Sequence, residues 1–183
     1  MLSHASGNSR ALTTTEQLDA LARRQRGPAR HRQPVGLIGP GDGGERECLA
    51  AETVAARLAG AGMTILCGGS GGVMEAASRG AANAGGLVIG VLPQEDASAG
   101  NAWLTVALPT GMGEMRNALI ARGSLCLVAI GGGMGTLSEM ALGLKWGKPV
   151  FTLYAEFLLP GAQAAIDADD LSIQVTSWLL NGP

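Results

Sequence analysis

The glycine-rich segment at residues 131–139, GGGMGTLSE, has the composition of a phosphate-binding loop. It follows an apolar run at 124–130 and precedes a segment with helical spacing of apolar residues. Glycine lets backbone N–H groups approach a ligand that a Cβ would obstruct, and the positive end of the following helix favours an anion. The segment therefore predicts a cradle for a phosphate or ribose phosphate, with the Thr136 hydroxyl as a further donor and Glu139 facing the sugar.

A structural interpretation of the same residues stays open beside the functional one. Thr136 and Glu139 have the spacing of a capping box, in which the two side chains satisfy the first amides of a helix. A glutamate engaged in such a cap is less available for chemistry.

Arg116 is the basic residue best placed to join this site. It lies in the first turn of a predicted helix beginning at Gly113, and it should project toward the same edge of the sheet. There its guanidinium would bind a phosphate or carboxylate with two hydrogen bonds. The alternative is an exposed arginine paired with Glu114 or with solvent.

Glycines also cluster after other predicted strands. Fourteen of the 29 glycines lie in four loops that each follow an apolar run. The loops that leave parallel strands meet at one edge of the sheet, which makes that edge the expected binding face. The predicted ligand-binding residues are Gly39, Gly41, Gly69, Gly71, Gly72, Gly132, Gly133, Met134, Gly135 and Thr136.

Several familiar sites are disfavoured. The GxGxxG match at 39–44 stands alone, because no acidic residue ends the next strand at Cys67, and no GK[ST] follows any glycine loop. Both histidines, His4 and His31, precede the regular part of the chain, and the cysteines lack zinc-site spacing, so no metal site is predicted. Any catalysis would use Arg116 and Glu139, as in sugar-bond cleavage through an oxocarbenium-like state.

Short apolar runs alternate with helical segments from residue 35 onward, which is typical of a doubly wound parallel sheet of Rossmann-like, three-layer α/β/α architecture. Residues 92–103 are predicted as a loop or a single helical turn. Several arrangements of helix and strand stay open for residues 155–183. The apolar runs are 35–39, 63–67, 87–91, 104–108, 124–130 and 149–153, and the helical segments are 45–59, 73–84, 113–122 and 136–146.

Length and charge indicate one domain at 34–183, preceded by an Arg-rich appendage at 1–33 with a short helix at 15–25. The appendage could be a nucleic-acid arm, a transit peptide or a solvated leader, and the leader is favoured. A net charge of −2 and an aromatic content of 3% argue against a nucleic-acid partner. No apolar run is long enough to span a membrane, and the expected location is the cytoplasm.

Several motifs in order resemble one superfamily. They are the run TGMGEMRN at 110–117, GGGMGTLSE at 131–139, GKPV at 147–150 and the second glycine loop at 68–81. The superfamily contains the molybdenum cofactor carrier proteins and the cytokinin-activating phosphoribohydrolases. The resemblance implies a homo-oligomer, either a dimer or a tetramer.

The resemblance also implies two candidate functions. Arg116 and Glu139 match the catalytic arginine and glutamate of the phosphoribohydrolases, whereas Gly131 and Asn117 stand where those enzymes have proline and lysine, as in the carrier-like branch. The expected function is therefore binding, as a carrier or sensor, of a phosphorylated nucleotide-like or pterin-like ligand such as the molybdenum cofactor. The alternative is hydrolysis of a nucleoside 5′-monophosphate by Arg116 and Glu139.

Overall fold

The computed structural model describes residues 12–182. Seven parallel strands form one sheet in the order β4-β3-β2-β1-β5-β6-β7. The inner strands consist of apolar residues because helices cover both of their faces. The strands are β1 (Val35–Ile38), β2 (Ile65–Cys67), β3 (Val88–Leu92), β4 (Val106–Pro109), β5 (Leu127–Ile130), β6 (Val150–Leu153) and β7 (Gln163–Ala164).

Helices form the two outer layers, and the predicted three-layer α/β/α class is confirmed. The helices are α1 (Thr14–Arg26), α2 (Glu45–Gly60), α3 (Val73–Asn83), α4 (Asn117–Gly123), α5 (Met134–Lys145) and α6 (Ala168–Asn181). Buried residues of α1, α2, α3 and α6 form one core cluster, and those of α4 and α5 form the other. Successive strand residues alternate between the clusters: Leu37 belongs to the first and Ile38 to the second.

The strand order reverses at β1, which pairs with β2 on one side and with β5 on the other. The connections leaving β1 and β5 therefore run to opposite faces of the sheet and open a crevice between them. The loop after β1 and the loop after β5 border this crevice. The topology thus selects, among the four glycine loops, the two that face each other.

Helix α1 packs on the domain, in contrast to the solvated leader favoured from the sequence. Leu21 is fully buried in the larger core cluster, and α1 lies against α6. The Arg24 guanidinium donates to the carbonyl of Leu180 at 3.0 Å, and Thr13 with Glu16 forms a capping box at the start of the helix. The apolar side of α1 requires a partner, and α6 supplies it. Residues 1–11, which include His4, lie outside the described residues.

The remaining connections refine the predicted boundaries. Residues 92–103 contain a single 3₁₀ turn at Ala97–Ala99, as expected. The helix predicted at 113–122 is divided into a 3₁₀ turn, Gly113–Arg116, followed by α4. Within residues 12–182, no helix combines the length and the hydropathy that crossing a bilayer requires.

Candidate functional site

A cavity of about 370 Å³ opens at the carboxyl ends of β1 and β5, where the strand order reverses. It brings together three loops that are far apart in the sequence: the loop after β1, the 3₁₀ turn before α4 and the first turn of α5. The cavity is lined by Gly39, Pro40, Gly41, Asp42, Met74, Pro93, Glu114, Arg116, Asn117, Gly133, Met134, Gly135, Thr136 and Glu139.

The first turn of α5 presents backbone N–H groups to this cavity. Its N-cap is Gly133, whose φ of 145° is accessible mainly to glycine, and no side chain caps the helix. The first hydrogen bond inside the helix runs from the Leu137 N–H to the Gly133 carbonyl at 2.9 Å. The N–H groups of residues 133–136 consequently have no acceptor within α5. These amides and the positive helix end favour an anion.

The capping-box interpretation of Thr136 and Glu139 is wrong, because α5 begins three residues earlier than that interpretation requires. Thr136 is the third residue of the helix and Glu139 the sixth. Gly131 also differs from the rest of its loop, since its N–H donates to the Leu153 carbonyl at 2.9 Å and is not directed to a ligand.

Arg116 and Glu139 form an ion pair in the wall of the cavity. Nη1 of Arg116 lies 3.3 Å from Oε1 of Glu139, and the two residues are 9% and 5% exposed. Arg116 is therefore not the solvent-exposed partner of Glu114 that the structural alternative described. Burial raises the pKa of Glu139 to about 7, because removing the carboxylate from water costs more than the neighbouring Arg116 charge restores.

A short chain of hydrogen bonds connects Arg116 to the first turn of α5. Nη1 of Arg116 also donates to Oδ1 of Asn117, Nδ2 of Asn117 donates to Oγ of Ser138 at 3.0 Å, and that hydroxyl donates to the Gly135 carbonyl at 2.7 Å. Nε of Arg116 is buried and has no hydrogen-bond partner in the described part of the chain. The guanidinium is thus held in the cavity wall through Nη1, while its buried Nε–H has no acceptor among the described residues.

Eight of the twelve predicted site residues line the cavity: Gly39, Gly41, Gly133, Met134, Gly135, Thr136, Arg116 and Glu139. These residues come together although they are far apart in the sequence. The reason is that β1 and β5 are neighbouring strands, so the loops that follow them lie side by side.

The other four predicted residues lie outside the cavity lining: Gly69, Gly71, Gly72 and Gly132. Three of them occupy closely packed positions. A Cβ at Gly72 would lie 2.5 Å from the backbone of Gly41, one at Gly69 would lie 2.4 Å from Leu92, and one at Gly132 would lie 2.4 Å from Glu156. Gly71 has only ordinary contacts.

Six residues that line the cavity were not among the predicted site residues: Pro40, Asp42, Met74, Pro93, Glu114 and Asn117. Asp42 and Pro40 lie in the same predicted loop as Gly39 and Gly41, so their position in the sequence could have indicated that they line the site. Pro93 follows β3, and Met74 is the second residue of α3. The contribution of α3 to the site depends on how this helix packs. In residues 12–182, no group of three or more His, Cys, Asp or Glu side chains could hold a metal ion.

Comparison with known proteins places this geometry in a family. The profile described as the SLOG cluster4 family matches residues 32–176. This chain belongs to the SLOG cluster4 family. The match covers the whole sheet and all of the residues that line the cavity.

Relatives of this SLOG cluster4 member confirm the resemblance to the superfamily of molybdenum cofactor carriers and phosphoribohydrolases. The molybdenum cofactor binding protein of Rippkaea orientalis is 34% identical with a TM-score of 0.76, covering 81% of this chain and 98% of its own. The molybdenum cofactor carrier protein of Chlamydomonas reinhardtii is 34% identical with a TM-score of 0.70, covering 81% and 99%. Cytokinin riboside 5′-monophosphate phosphoribohydrolase LOG5 of Arabidopsis thaliana is 34% identical over 68% of this chain and 61% of its own length.

Proposed function

We propose that this chain binds a phosphorylated nucleotide-like or pterin-like ligand in the cavity between β1 and β5 and holds it without chemical turnover, as a carrier or sensor. The observation that carries the proposal is the uncapped first turn of α5, whose N–H groups at 133–136 face a cavity that also contains the buried guanidinium of Arg116. Backbone amides at a helix end and an arginine together form a strong phosphate site.

The size of the cavity and its apolar wall support a ligand larger than phosphate alone. Its volume of about 370 Å³ is within the range that holds small organic ligands. Met74 and the two prolines Pro40 and Pro93 supply apolar surface beside the phosphate cradle. The two structural relatives are named for the molybdenum cofactor, which is a phosphorylated pterin. Its phosphate suits the cradle of amides and arginine, and its ring suits the apolar wall.

The ion pair and the raised pKa of Glu139 support binding of the ligand without hydrolysis. Its carboxyl group is engaged by Arg116, and its pKa of about 7 leaves a substantial fraction protonated at neutral pH. A carboxylate that stabilises a sugar cation must be ionised and directed at the sugar. The ion pair competes with that role.

Titration calorimetry with GMP and AMP, together with mass spectrometry of small molecules released from freshly purified protein, tests the proposal. We expect saturable binding of at least one nucleotide with no change in the nucleotide recovered afterwards. A folded protein that releases no phosphorylated small molecule and binds neither GMP, AMP nor pyrophosphate would exclude the proposal.

A second function, hydrolysis of a nucleoside 5′-monophosphate, is favoured by one observation: Glu139 and Arg116 both line the cavity, in agreement with the resemblance to the plant enzyme. In that reaction the N-glycosidic bond breaks, water adds its oxygen to the sugar carbon, and the base leaves with a proton. Incubation with AMP and N6-modified AMP, followed by chromatography of the free base, tests it. Base release that disappears in Glu139→Gln would support hydrolysis, and intact monophosphate would exclude it.

We also propose that the chain forms a homo-oligomer through the α4–α5 face. Apolar side chains are exposed there, with Met115 at 75%, Met134 at 74% and Leu119 at 43%. Contiguous exposed apolar surface marks association sites. Light scattering of the purified protein should give the mass of a dimer or tetramer, and a monomer at every concentration would exclude assembly.

A further inference from the structure

A group of exposed arginines lies between α1 and β1, away from the cavity. Arg23 and Arg26 are in the last turn of α1, and Arg30 and Arg32 are in the connection from α1 to β1. None of the four guanidinium groups has a hydrogen bond or an ion pair with any of residues 12–182. These four residues are called the arginine patch below.

The surroundings of the arginine patch contain no acidic residue that neutralises it. No Asp or Glu occurs in residues 20–41, in the α2–β2 connection at 61–64 or in the later part of α6 at 171–183. Asp19, one helical turn before Arg23, forms no ion pair with it. The net charge of −2, which argues against a nucleic-acid partner for the chain as a whole, therefore does not describe this surface.

A cleft of about 460 Å³ opens within the arginine patch. It lies at the amino ends of β1 and β2, because its lining residues directly precede these two strands. The cavity lies at the carboxyl ends of β1 and β5, so the cleft and the cavity are at opposite edges of the sheet. The cleft is lined by Gln25, Arg30, His31, Arg32, Gly62 and Thr64.

Hydrogen bonds hold the connection from α1 to β1 against the domain. Nε2 of Gln25 donates to the Gly62 carbonyl at 3.2 Å, and Oε1 of Gln25 accepts from the His31 N–H at 2.8 Å. Nε2 of His31 donates to the Leu179 carbonyl at 2.8 Å. The two arginines that flank His31 therefore project from an anchored backbone, and a partner that binds them has less chain to order than on a flexible tail.

The residue types in the arginine patch favour a ligand with several phosphates. A guanidinium binds a phosphate with two parallel hydrogen bonds, and residues 20–34 contain five arginines and no lysine. The same residues contain no Phe, Tyr or Trp on which the bases of a single strand could stack. They also contain no exposed large apolar side chain of the kind that membrane-surface helices insert into lipid.

We infer that the arginine patch binds the phosphate backbone of a nucleic-acid duplex without reading its sequence. A duplex carries closely and regularly spaced phosphates, so that several arginines can each contact one. Contacts to the backbone alone need neither aromatic rings nor a groove-reading helix. Each contact releases condensed counterions, and the affinity consequently falls steeply with salt.

Fluorescence anisotropy with labelled DNA and RNA duplexes, over a series of salt concentrations, tests the inference. We expect binding at low salt, with a slope of log association constant against log salt of about −3 to −4, the value for about four neutralised phosphates. Arg30→Gln/Arg32→Gln should weaken binding about tenfold or more and reduce the magnitude of the slope by about two. Arg46→Gln/Arg79→Gln removes the same charge from two arginines that each pair with a glutamate elsewhere, and it should keep the wild-type slope.

Three results would each overturn the inference: folded protein that binds neither duplex at low salt, equal weakening by the two double variants, or tighter binding to a single strand or to vesicles of phosphatidylserine and phosphatidylcholine. Calorimetry with GMP separates the inference from the proposed function. Arg30→Gln/Arg32→Gln should bind GMP as the wild type does, because the cleft and the cavity lie at opposite edges of the sheet.

Discussion

Gly68 lies directly beneath the guanidinium of Arg116: a Cβ at position 68 would approach Nη2 of Arg116 to 2.5 Å. The loop after β2 therefore contributes to the site through its lack of a side chain, although it does not line the cavity. The position of Arg116 depends on this contact, on the ion pair with Glu139 and on the hydrogen bond to Asn117.

Gly68→Ala should displace the Arg116 side chain and weaken nucleotide binding about tenfold, which corresponds to the loss of one charge-assisted hydrogen bond. The affected atoms are the ends of flexible side chains, Arg116 and Met74, so the domain should still fold. Calorimetry measures the affinity. The matched control is Gly60→Ala at the end of α2, where a Cβ meets no atom within 4 Å, and this variant should bind as the wild type does. Equal affinities in the two variants would refute the role assigned to Gly68.

The buried carboxyl of Glu139 should make stability depend on pH. Its pKa is raised from 4.5 to about 7, so the native protein retains a proton that the unfolded chain releases at lower pH. The free energy of unfolding should therefore contain a contribution that is present in full below about pH 4.5 and is lost as the pH rises toward 7, on the order of 3 kcal/mol.

Denaturant unfolding at several pH values, compared between the wild type and Glu139→Gln, isolates this contribution. The variant should lose the decline in stability between pH 4.5 and 7. Parallel stability curves for the two proteins would show that the carboxyl is ionised throughout this range.

Leu21→Ala should destabilise the protein by about 2–5 kcal/mol, because Leu21 is fully buried between α1 and the rest of the core. Thermal denaturation followed by circular dichroism measures the change. Leu49→Ala, at a leucine that is 65% exposed on α2, is the control and should change stability little. A negligible effect at position 21 would mean that α1 does not contribute to the core in solution.

Gly80→Ala should also destabilise the fold, by about 1–3 kcal/mol, since a Cβ there would lie 2.2 Å from the Glu52 carbonyl oxygen. The contact fixes the distance between α2 and α3, and backbone atoms cannot move aside as a side-chain end can. Denaturant titration provides the value. Unchanged stability would indicate that the two helices separate at little cost.

The sequence sufficed to predict the order of strands and helices from β1 to β6, because continuous apolar runs and helical spacing are local properties. It also placed loops 39–44 and 131–136, with the two other glycine loops, at one edge of the sheet, since connections leaving parallel strands meet there. The strand order then showed that these two loops face each other. The start of α5 was placed too late. Gly133 begins the helix as its N-cap, and the threonine spacing at 136 suggested a cap that does not form.

What the sequence could not supply are relations set by packing. The burial that raises the pKa of Glu139, the support of Arg116 by Gly68 and the docking of α1 on α6 all depend on which surfaces meet. Gly72 and Gly132 were predicted as ligand-binding glycines, and each also lies where another part of the backbone approaches too closely for a Cβ. Glycine composition alone does not distinguish the two uses.

Calorimetric binding of GMP to Gly135→Ala tests the phosphate cradle at 133–136 most directly. Gly135 lies in the first turn of α5 and lines the cavity, and the nearest atom to an added Cβ is Nδ2 of Asn117 at 4.0 Å. Alanine is a better helix former than glycine, so the variant should be folded and about as stable as the wild type or slightly more so. If the amides of 133–136 hold a phosphate, the added methyl group blocks its approach, and GMP affinity falls about tenfold or more. A stable Gly135→Ala protein that binds GMP as tightly as the wild type would show that the amides of 133–136 do not hold the phosphate.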